Sequence, residues 1–347
     1  MIFFKKIIDI VFFLAICIFS RGYGEIKYII KNEASFSDIK KIWFTPSGKK
    51  FALVSDSGVE VRDTKTGNYI KTIYKNQEYL QLYYPVALDT KEQLIALAVK
   101  CEWKNISIKI FDFETGNLKK EFTWAHEIDI THMEFDASGK KLMTVDVLGM
   151  IKVWDINDNG NSPIDVYPGK KEGIQIMGFS KTEGRRGFWM TTTGDLFSWN
   201  KNLNDITGKA KINSLFMYDR SLAYEPVTQR IAAHEDGCIK IIDVVEKEII
   251  AKFPHGYEED YTLLLKFDPF DEKHEHLISI DKEGALKYWS ISGEKHLVKE
   301  YKTDIYTHER DIAFLRQGVV SVASIIHNGD TLSYRPNAVY IQILPLM

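Results

Sequence analysis

A short apolar motif recurs along this chain at nearly constant spacing. It reads IKVWD at residues 151–155, and related copies end at positions 63, 112, 200, 243 and 290. Consecutive copies end 49, 43, 45, 43 and 47 residues apart. Apolar and polar residues alternate within IKVWD, as they do in a β-strand whose two faces meet different neighbours. The chain is therefore predicted to be an array of similar all-β units.

Each copy of the motif lies within a longer unit of four short strands. A glycine-containing turn joins the first two strands, as in MEFDASGKK at 133–141, and the fourth strand is more polar, as in LKKEFTW at 118–124. A repeat of about 40–50 residues built from four strands is typical of propeller blades. We predict an all-β, seven-bladed β-propeller over residues 25–347, with strand triplets that begin near Ile39, Tyr83, Ile130, Ile174, Leu222, Leu263 and Ile312.

The last unit supplies only three strands, whereas EIKYIIK at 25–31 reads as a strand without a partner in its own unit. We predict that this N-terminal strand completes the last blade. Such closure would remove an open sheet edge, which otherwise invites aggregation.

The motif and its spacing resemble those of the WD-repeat β-propeller family. The resemblance is carried by Trp154-Asp155 and by the variants Arg62-Asp63, Phe111-Asp112, Trp199-Asn200, Ile242-Asp243 and Trp289-Ser290. It implies protein partners, bound by loops around one mouth of the ring.

In that family a His between blades, a Ser or Thr, the motif Trp and a turn Asp form a hydrogen-bonded set. The resemblance matches His126, Thr144 and Trp154 in the third unit, where the turn positions hold Val147 and Leu148. In the sixth unit it matches Ser279, Asp281 and Trp289.

Residues 1–24 have the pattern of an export signal. Lys5 and Lys6 precede the apolar run IVFFLAICIF, and the small residues Gly22 and Gly24 follow it. The run is about half the length that a membrane-spanning helix needs. We predict a signal peptide cleaved near Gly24 and an exported protein, with an uncleaved membrane anchor as the alternative.

The composition excludes few classes of function. A net charge of −3 gives no reason to expect a nucleic-acid partner. Cys101 and Cys238, the two cysteines beyond the leader, lie in distant repeats and are predicted to be unpaired thiols. The oligomeric state is open.

No local motif predicts catalysis, a metal or a cofactor. The pair His274 and His276 in KHEH lacks a specified third ligand, so a solvated loop is preferred over a metal site. HEDGC at 234–238 is interpreted as a tight hairpin turn. The D-x-x-T-G strings at 63–67 and 112–116 also resemble quinoprotein propeller repeats, but a side-chain-capped turn is favoured.

One face of the predicted ring collects the loops that join neighbouring blades. Exposed aromatic residues on such a face are typical of protein recognition, and the candidate partner-binding residues are Tyr79, Trp103, Trp124, Tyr257, Asp260 and Tyr261. The alternative is that these rings pack onto neighbouring loops.

The opposite face is locally basic. It is predicted to be a mixed solvated surface, and weak attraction to an acidic membrane is the alternative. Its basic residues are Lys49, Lys50, Lys140, Lys141, Arg185 and Arg186.

Together these features predict an exported, non-catalytic binding or scaffold protein. The alternative is a secreted propeller enzyme, either a hydrolase or lyase or a quinoprotein-like carrier, with its site at the central channel. Convergent carboxylates or His at the channel mouth would favour that alternative.

Overall fold

The computed structural model describes residues 26–31, 39–55, 58–75, 82–101, 105–168, 172–180, 187–199, 206–211, 222–235, 237–255, 262–281, 283–292, 296–303, 310–316, 319–327 and 336–345. Every regular element within these ranges is a β-strand. Among the same residues we find no helix with the length and apolar character needed to traverse a bilayer.

The strands form seven four-stranded antiparallel sheets, and the first three of them follow the chain in order. Sheet 1 contains β2 (Ile39–Phe44), β3 (Lys50–Ser55), β4 (Gly58–Asp63) and β5 (Tyr69–Lys75). Sheet 2 contains β6 (Leu82–Leu88), β7 (Leu94–Cys101), β8 (Asn105–Asp112) and β9 (Leu118–His126). Sheet 3 contains β10 (Ile130–Phe135), β11 (Lys141–Asp146), β12 (Ile151–Asp155) and β13 (Asp165–Tyr167).

The next three sheets repeat this arrangement of four consecutive strands. Sheet 4 contains β14 (Ile174–Phe179), β15 (Gly187–Thr191), β16 (Asp195–Trp199) and β17 (Ile206–Lys211). Sheet 5 contains β18 (Leu222–Glu225), β19 (Arg230–Glu235), β20 (Cys238–Asp243) and β21 (Glu248–Pro254). Sheet 6 contains β22 (Thr262–Phe267), β23 (His276–Asp281), β24 (Ala285–Ser290) and β25 (Leu297–Lys302).

Sheet 7 is assembled from the two ends of the chain. It contains β26 (Arg310–Arg316), β27 (Val319–His327) and β28 (Pro336–Pro345), and β1 (Ile26–Lys31) pairs with the outer side of β28. The register runs from Ile26 opposite Ile343 to Lys31 opposite Ala338. The predicted pairing of the N-terminal strand with the last three strands is confirmed.

Neighbouring sheets pack face to face through apolar clusters, which gives the β-propeller arrangement. One cluster joins sheets 1 and 2 through Val61 and Leu97, and the next joins sheets 2 and 3 through Ile108 and Trp154. Equivalent clusters join each following pair up to sheets 6 and 7. Sheet 7 also contacts sheet 1. The Phe44 amide of sheet 1 donates to Asp311 Oδ2 of sheet 7 at 2.8 Å.

The burial pattern follows from this packing. The second strand of a sheet is covered on both faces, so β3 (KFALVS) and β11 (KLMTVD) are buried at every position after their first lysine. The outermost strand is covered less, and β21 and β25 are mostly exposed. The more polar fourth strand seen in the sequence is thus the solvent-facing edge of sheets 5 and 6.

The D-x-x-T-G strings are capped turns. Asp63 Oδ1 accepts bonds from the Lys65 amide and from the Thr66 amide and hydroxyl, at 2.9–3.0 Å. Asp112 receives the same bonds from the residues after it, and these bonds lower the pKa of its carboxyl group to about 2. Gly67 has a φ of 71°, which glycine adopts without steric cost. The turn interpretation is confirmed.

Candidate functional site: an exposed tryptophan on a β-bulge

A buried chain of hydrogen bonds fixes the junction between sheets 2 and 3. Trp154 Nε1 donates to Thr144 Oγ1 at 2.9 Å, and Thr144 Oγ1 lies 2.8 Å from His126 Nε2. His126 Nδ1 lies 3.1 Å from Asp146 Oδ2. These contacts fit a neutral imidazole that carries its proton on Nδ1, because Nε2 then accepts the threonine proton.

The turn carboxylate of this set is Asp146, the last residue of β11. Its Oδ1 also accepts the amides of Leu148 and Met150, each at 3.0 Å. The resemblance had placed the turn positions at Val147 and Leu148, which hold no acceptor side chain. One carboxylate serves both the imidazole and the turn because it stands where the strand ends.

Sheets 5 and 6 meet through a parallel arrangement. Trp289 Nε1 donates to Ser279 Oγ at 2.8 Å, and His255 Nε2 lies 2.9 Å from the same oxygen. Asp281 Oδ1 accepts the Glu283 and Ala285 amides at 3.0 and 2.8 Å, as Asp146 does in sheet 3. Both carboxylates stand two residues after the hydroxyl residue, a spacing that is visible in the sequence.

Burial makes these two imidazoles resist protonation. Burial lowers the pKa of His255 to about 3, and the nearby Lys287 and His234 add to the shift. Burial also lowers the pKa of His126, although its bond to Asp146 acts in the opposite direction.

We expect the protein to lose stability as the pH falls below about 6.5. The unfolded imidazole of His255 then binds a proton that the folded one rejects down to about pH 3, so stability falls by up to about 1.4 kcal/mol per pH unit. The test is urea unfolding at several pH values between 7 and 4. The variant His255→Gln should show a flatter pH dependence, and an equally steep one would contradict the assignment.

Trp124 occupies a β-bulge near the end of β9. Ile106 pairs with His126 and Ile108 with Phe122, so three residues of β9 stand opposite one residue of β8. The Trp124 amide lies 3.4 Å from the hydroxyl of that residue, Ser107. A bulge of this kind redirects a side chain out of the regular ladder, and the Trp124 side chain is 75% exposed.

The backbone of Trp124 is strained. Its φ is 56°, a left-handed value that is uncommon for residues other than glycine and costs about 1–2 kcal/mol. Such strain persists where the surroundings hold it in place, and it concentrates at functional positions.

Asn161, in the loop between β12 and β13, holds the residue that precedes Trp124. Its Oδ1 accepts the Thr123 amide, and its Nδ2 donates to the Thr123 carbonyl and hydroxyl oxygens, all at 2.9 Å. Lys120 of β9 also reaches sheet 3, where its Nζ donates to the carbonyls of Asp158 and Gly160. The bulge is therefore clamped from the neighbouring sheet.

Two further apolar residues are exposed at the same end of the ring. Val147 and Leu148 form the β11–β12 turn and are 47% and 49% exposed. The Val147 amide donates to the Asp129 carbonyl in the loop that follows β9. We call Trp124, Val147 and Leu148 the Trp124 surface.

Of the six predicted partner-binding residues, Trp124 alone lies within the described ranges, and it is exposed rather than packed down. The other five lie outside them: Tyr79, Trp103, Tyr257, Asp260 and Tyr261. The sequence analysis did not predict the bulge or its contact with Asn161. Asn161 lies in a loop, and nothing in its local sequence indicates a contact with Thr123.

A second feature is a cavity of about 520 Å³ between the first strands of the sheets, at the central channel. Apolar residues form much of its wall, among them Trp43, Leu88 and Phe314. Four carboxylates from sheets 3, 5, 6 and 7 also line it: Glu134, Glu225, Asp268 and Asp311.

Several of these carboxylates already serve the fold. Glu225 accepts the Val227 amide at 3.1 Å and lies 3.2 Å from His274 Nδ1. Asp268 accepts the Phe270 amide and the Tyr288 hydroxyl, and burial raises its pKa. That these carboxylates come together around one cavity could not be predicted from the sequence, because they belong to different repeats.

The KHEH segment contacts a buried carboxylate. Asp271 is buried, accepts the Glu275 amide and lies 2.8 Å from His276 Nδ1. The segment is partly exposed, as the loop interpretation expects, and His274 and His276 lie 3.2 and 2.8 Å from Glu225 and Asp271. Within the described ranges no group of three or more His, Cys, Asp or Glu side chains could hold a metal ion.

HEDGC forms the connection of a hairpin, as predicted. Glu235 pairs with Cys238 across two intervening residues, and Gly237 has a φ of 69°. Cys238 is a free, half-buried thiol. His234 is buried, and its ring centroid lies 5.1 Å from that of His255.

The basic face is partly neutralised where it is described. Glu114 lies 3.5 Å from Lys50 and 3.6 Å from Lys71. Arg185 and Arg186 lie outside the described residues.

Comparison of the chain with models of known protein families finds no match, and comparison with curated proteins finds none either.

Proposed function

We propose that this chain is a protein-recognition module whose Trp124 surface binds a protein partner. In this proposal the seven sheets are the blades of a WD-repeat-type propeller, and the N-terminal strand closes the last blade. One observation carries it: a large ring stands 75% exposed on a bulge whose strained backbone is clamped from the next sheet.

The physical chemistry of the Trp124 surface supports a protein partner. A tryptophan ring contributes a large contact area and has few torsions to immobilise, so such rings carry much of the energy of many interfaces. A fixed backbone also reduces the entropy lost on binding. Val147 and Leu148, exposed in the β11–β12 turn, add two further apolar side chains to this end of the ring.

The two buried hydrogen-bonded sets support the WD-repeat interpretation. Each joins a His between sheets, a hydroxyl on the second strand and the motif tryptophan, as the resemblance implies. A carboxylate ends the same strand in both sheets.

The experiment is site-specific photo-crosslinking in the native compartment. A photoreactive residue at position 124 should give one discrete adduct, which identifies the partner, and the same residue at exposed Lys65 should not give it. Excess unlabelled protein should suppress the adduct, whereas excess Trp124→Gly protein should not. Equal suppression by the wild-type and the Trp124→Gly protein would show that Trp124 does not contribute to binding.

We expect Trp124→Gly to abolish partner binding without loss of stability. Glycine accepts the positive φ, so relief of strain compensates for the lost ring contacts. The control is Lys247→Gly, which replaces another residue with positive φ, at 60°. Pull-down with the crosslinked partner and thermal unfolding measure the two properties, and binding by Trp124→Gly at the wild-type level would contradict the prediction.

A propeller enzyme is the second candidate, and the carboxylates and His274 around the channel cavity favour it. We rank it lower because Glu225, Asp268 and Asp311 each accept a backbone amide, which is a structural role. Hydrolysis of a panel of glycoside and ester substrates, lost in Glu134→Gln, would reverse this order.

We propose further that the protein is exported, without cofactor or nucleic-acid partner. The pattern of residues 1–24 supports export, and those residues lie outside the described ranges. The N-terminal sequence of the protein purified from its host would test cleavage near Gly24, and a retained leader would favour the anchor.

Weak association of the basic face with membranes is testable by sedimentation with anionic vesicles.

A further inference from the structure

The residues that line the central cavity resemble those of a binding site for a small organic molecule. Its volume of about 520 Å³ falls within the range of sites for small ligands, and its wall includes Trp43, Phe44 and Phe314. An apolar wall with a few charged groups is the usual make-up of a site for a small organic molecule.

The charges that line this cavity are unbalanced. Glu134, Glu225, Asp268 and Asp311 are among its lining residues, whereas Lys266 is its one lysine or arginine among the described residues. The Lys266 ammonium donates to the Ile312 carbonyl at 2.6 Å. The pKa of Tyr224, which also lines the cavity, is raised by burial and then by the charges of Glu134 and Glu225.

The distribution of the carboxylates argues against a metal ion. They come from four different sheets, and within the described ranges no three acidic, His or Cys side chains are grouped closely enough to hold one. A ligand that suits this lining combines an apolar body with a positively charged end.

We propose that the cavity binds an alkylammonium group, either that of a free linear amine or that of a lysine side chain. The methylene chain packs against Trp43 and Phe314, and the ammonium bonds to carboxylates such as Glu134. This site is separate from the Trp124 surface, because the two lie at opposite ends of the ring. The first strands run towards the cavity end, and β9 and β11 end at the other.

The test is a titration of the whole protein with 1,5-diaminopentane, followed by calorimetry and by the NMR signal of the Trp43 indole N–H. This Nε1 atom is buried and has no hydrogen-bond partner among the described residues. Its signal is assigned by comparison with Trp43→Phe. We expect saturable binding that shifts the signal, weakens with added salt and is absent for the neutral pentane-1,5-diol.

Matched variants locate the ligand. Glu134→Gln should weaken diamine binding about tenfold, because a charged hydrogen bond is lost, while Glu114→Gln on the outer surface should leave it unchanged. Trp124→Gly should also leave it unchanged, so this proposal can fail or stand independently of partner binding at the Trp124 surface.

Two arms separate the sources of the ammonium. If the blocked peptide acetyl-Gly-Lys-Gly-amide competes with the diamine and shifts the Trp43 signal, the ligand is a lysine side chain. If the diamine alone binds, the ligand is a free amine. Equal binding of the diol, or no saturable shift of the Trp43 signal with either amine, would overturn the proposal, and the salt dependence of the wild type tests it even if Glu134→Gln does not fold.

Discussion

A chain that begins at Asn32 should be less stable than one that begins at Glu25 by several kcal/mol. The shorter chain lacks β1, which pairs with β28 at six positions from Ile26 to Lys31. Its loss removes the ladder of backbone hydrogen bonds that joins this strand to β28. It also leaves β28 as an unpaired edge, which favours association between molecules.

The comparison between these two chains isolates the strand from the leader. Both lack residues 1–24, so any effect of the leader is the same in each. Urea unfolding followed by circular dichroism gives the free energy of unfolding, and light scattering reports association. Identical midpoints would show that β1 does not close the ring.

Replacement of Trp154 by alanine should lower the free energy of unfolding by about 3–5 kcal/mol. Trp154 is only 1% exposed, packs in the cluster between sheets 2 and 3, and lies 4.7 Å from Phe122 between ring centroids. The substitution removes this packing and leaves Thr144 Oγ1 without its indole donor.

Trp154→Phe separates the two contributions, because it keeps most of the ring but lacks the N–H group. We expect it to cost about 1–2 kcal/mol, the value of one buried hydrogen bond and a small loss of volume. The exposed Trp124 provides the matched control, and Trp124→Phe should change stability by less than about 0.5 kcal/mol. An effect of Trp154→Ala as small as that of the control would contradict the role assigned to this residue.

The hydrogen-bonded set between sheets 2 and 3 shows which members of a site could be predicted from the sequence. His126, Thr144 and Trp154 were matched through the resemblance to the WD-repeat family, which associates a His, a hydroxyl residue and a Trp within one repeat. Asp146 was missed in the first of the two sets although it stands two residues after Thr144, as Asp281 stands after Ser279. The resemblance directed attention to the turn residues, whereas the carboxylate belongs to the end of the strand.

Trp124 shows both the value and the limit of the sequence interpretation. An aromatic residue between two blades was predicted to be exposed, and it is. Its bulge depends on the register between β8 and β9, and its clamp comes from Asn161 in the β12–β13 loop. Neither can be inferred from the residues around position 124.

By itself, the sequence determined the all-β units, their order and the partnership between the first strand and the last three. The units and their order depend on alternation and spacing within about 50 residues, which the hydrophobic effect translates directly into strands with buried faces. The partnership of the two chain ends follows instead from the last unit, which supplies three strands where the others supply four. The tertiary structure alone decided where Asn161 meets Thr123, and which carboxylates share the central cavity. Those contacts join residues from different repeats, and their geometry is set by how whole sheets pack against one another rather than by any local pattern.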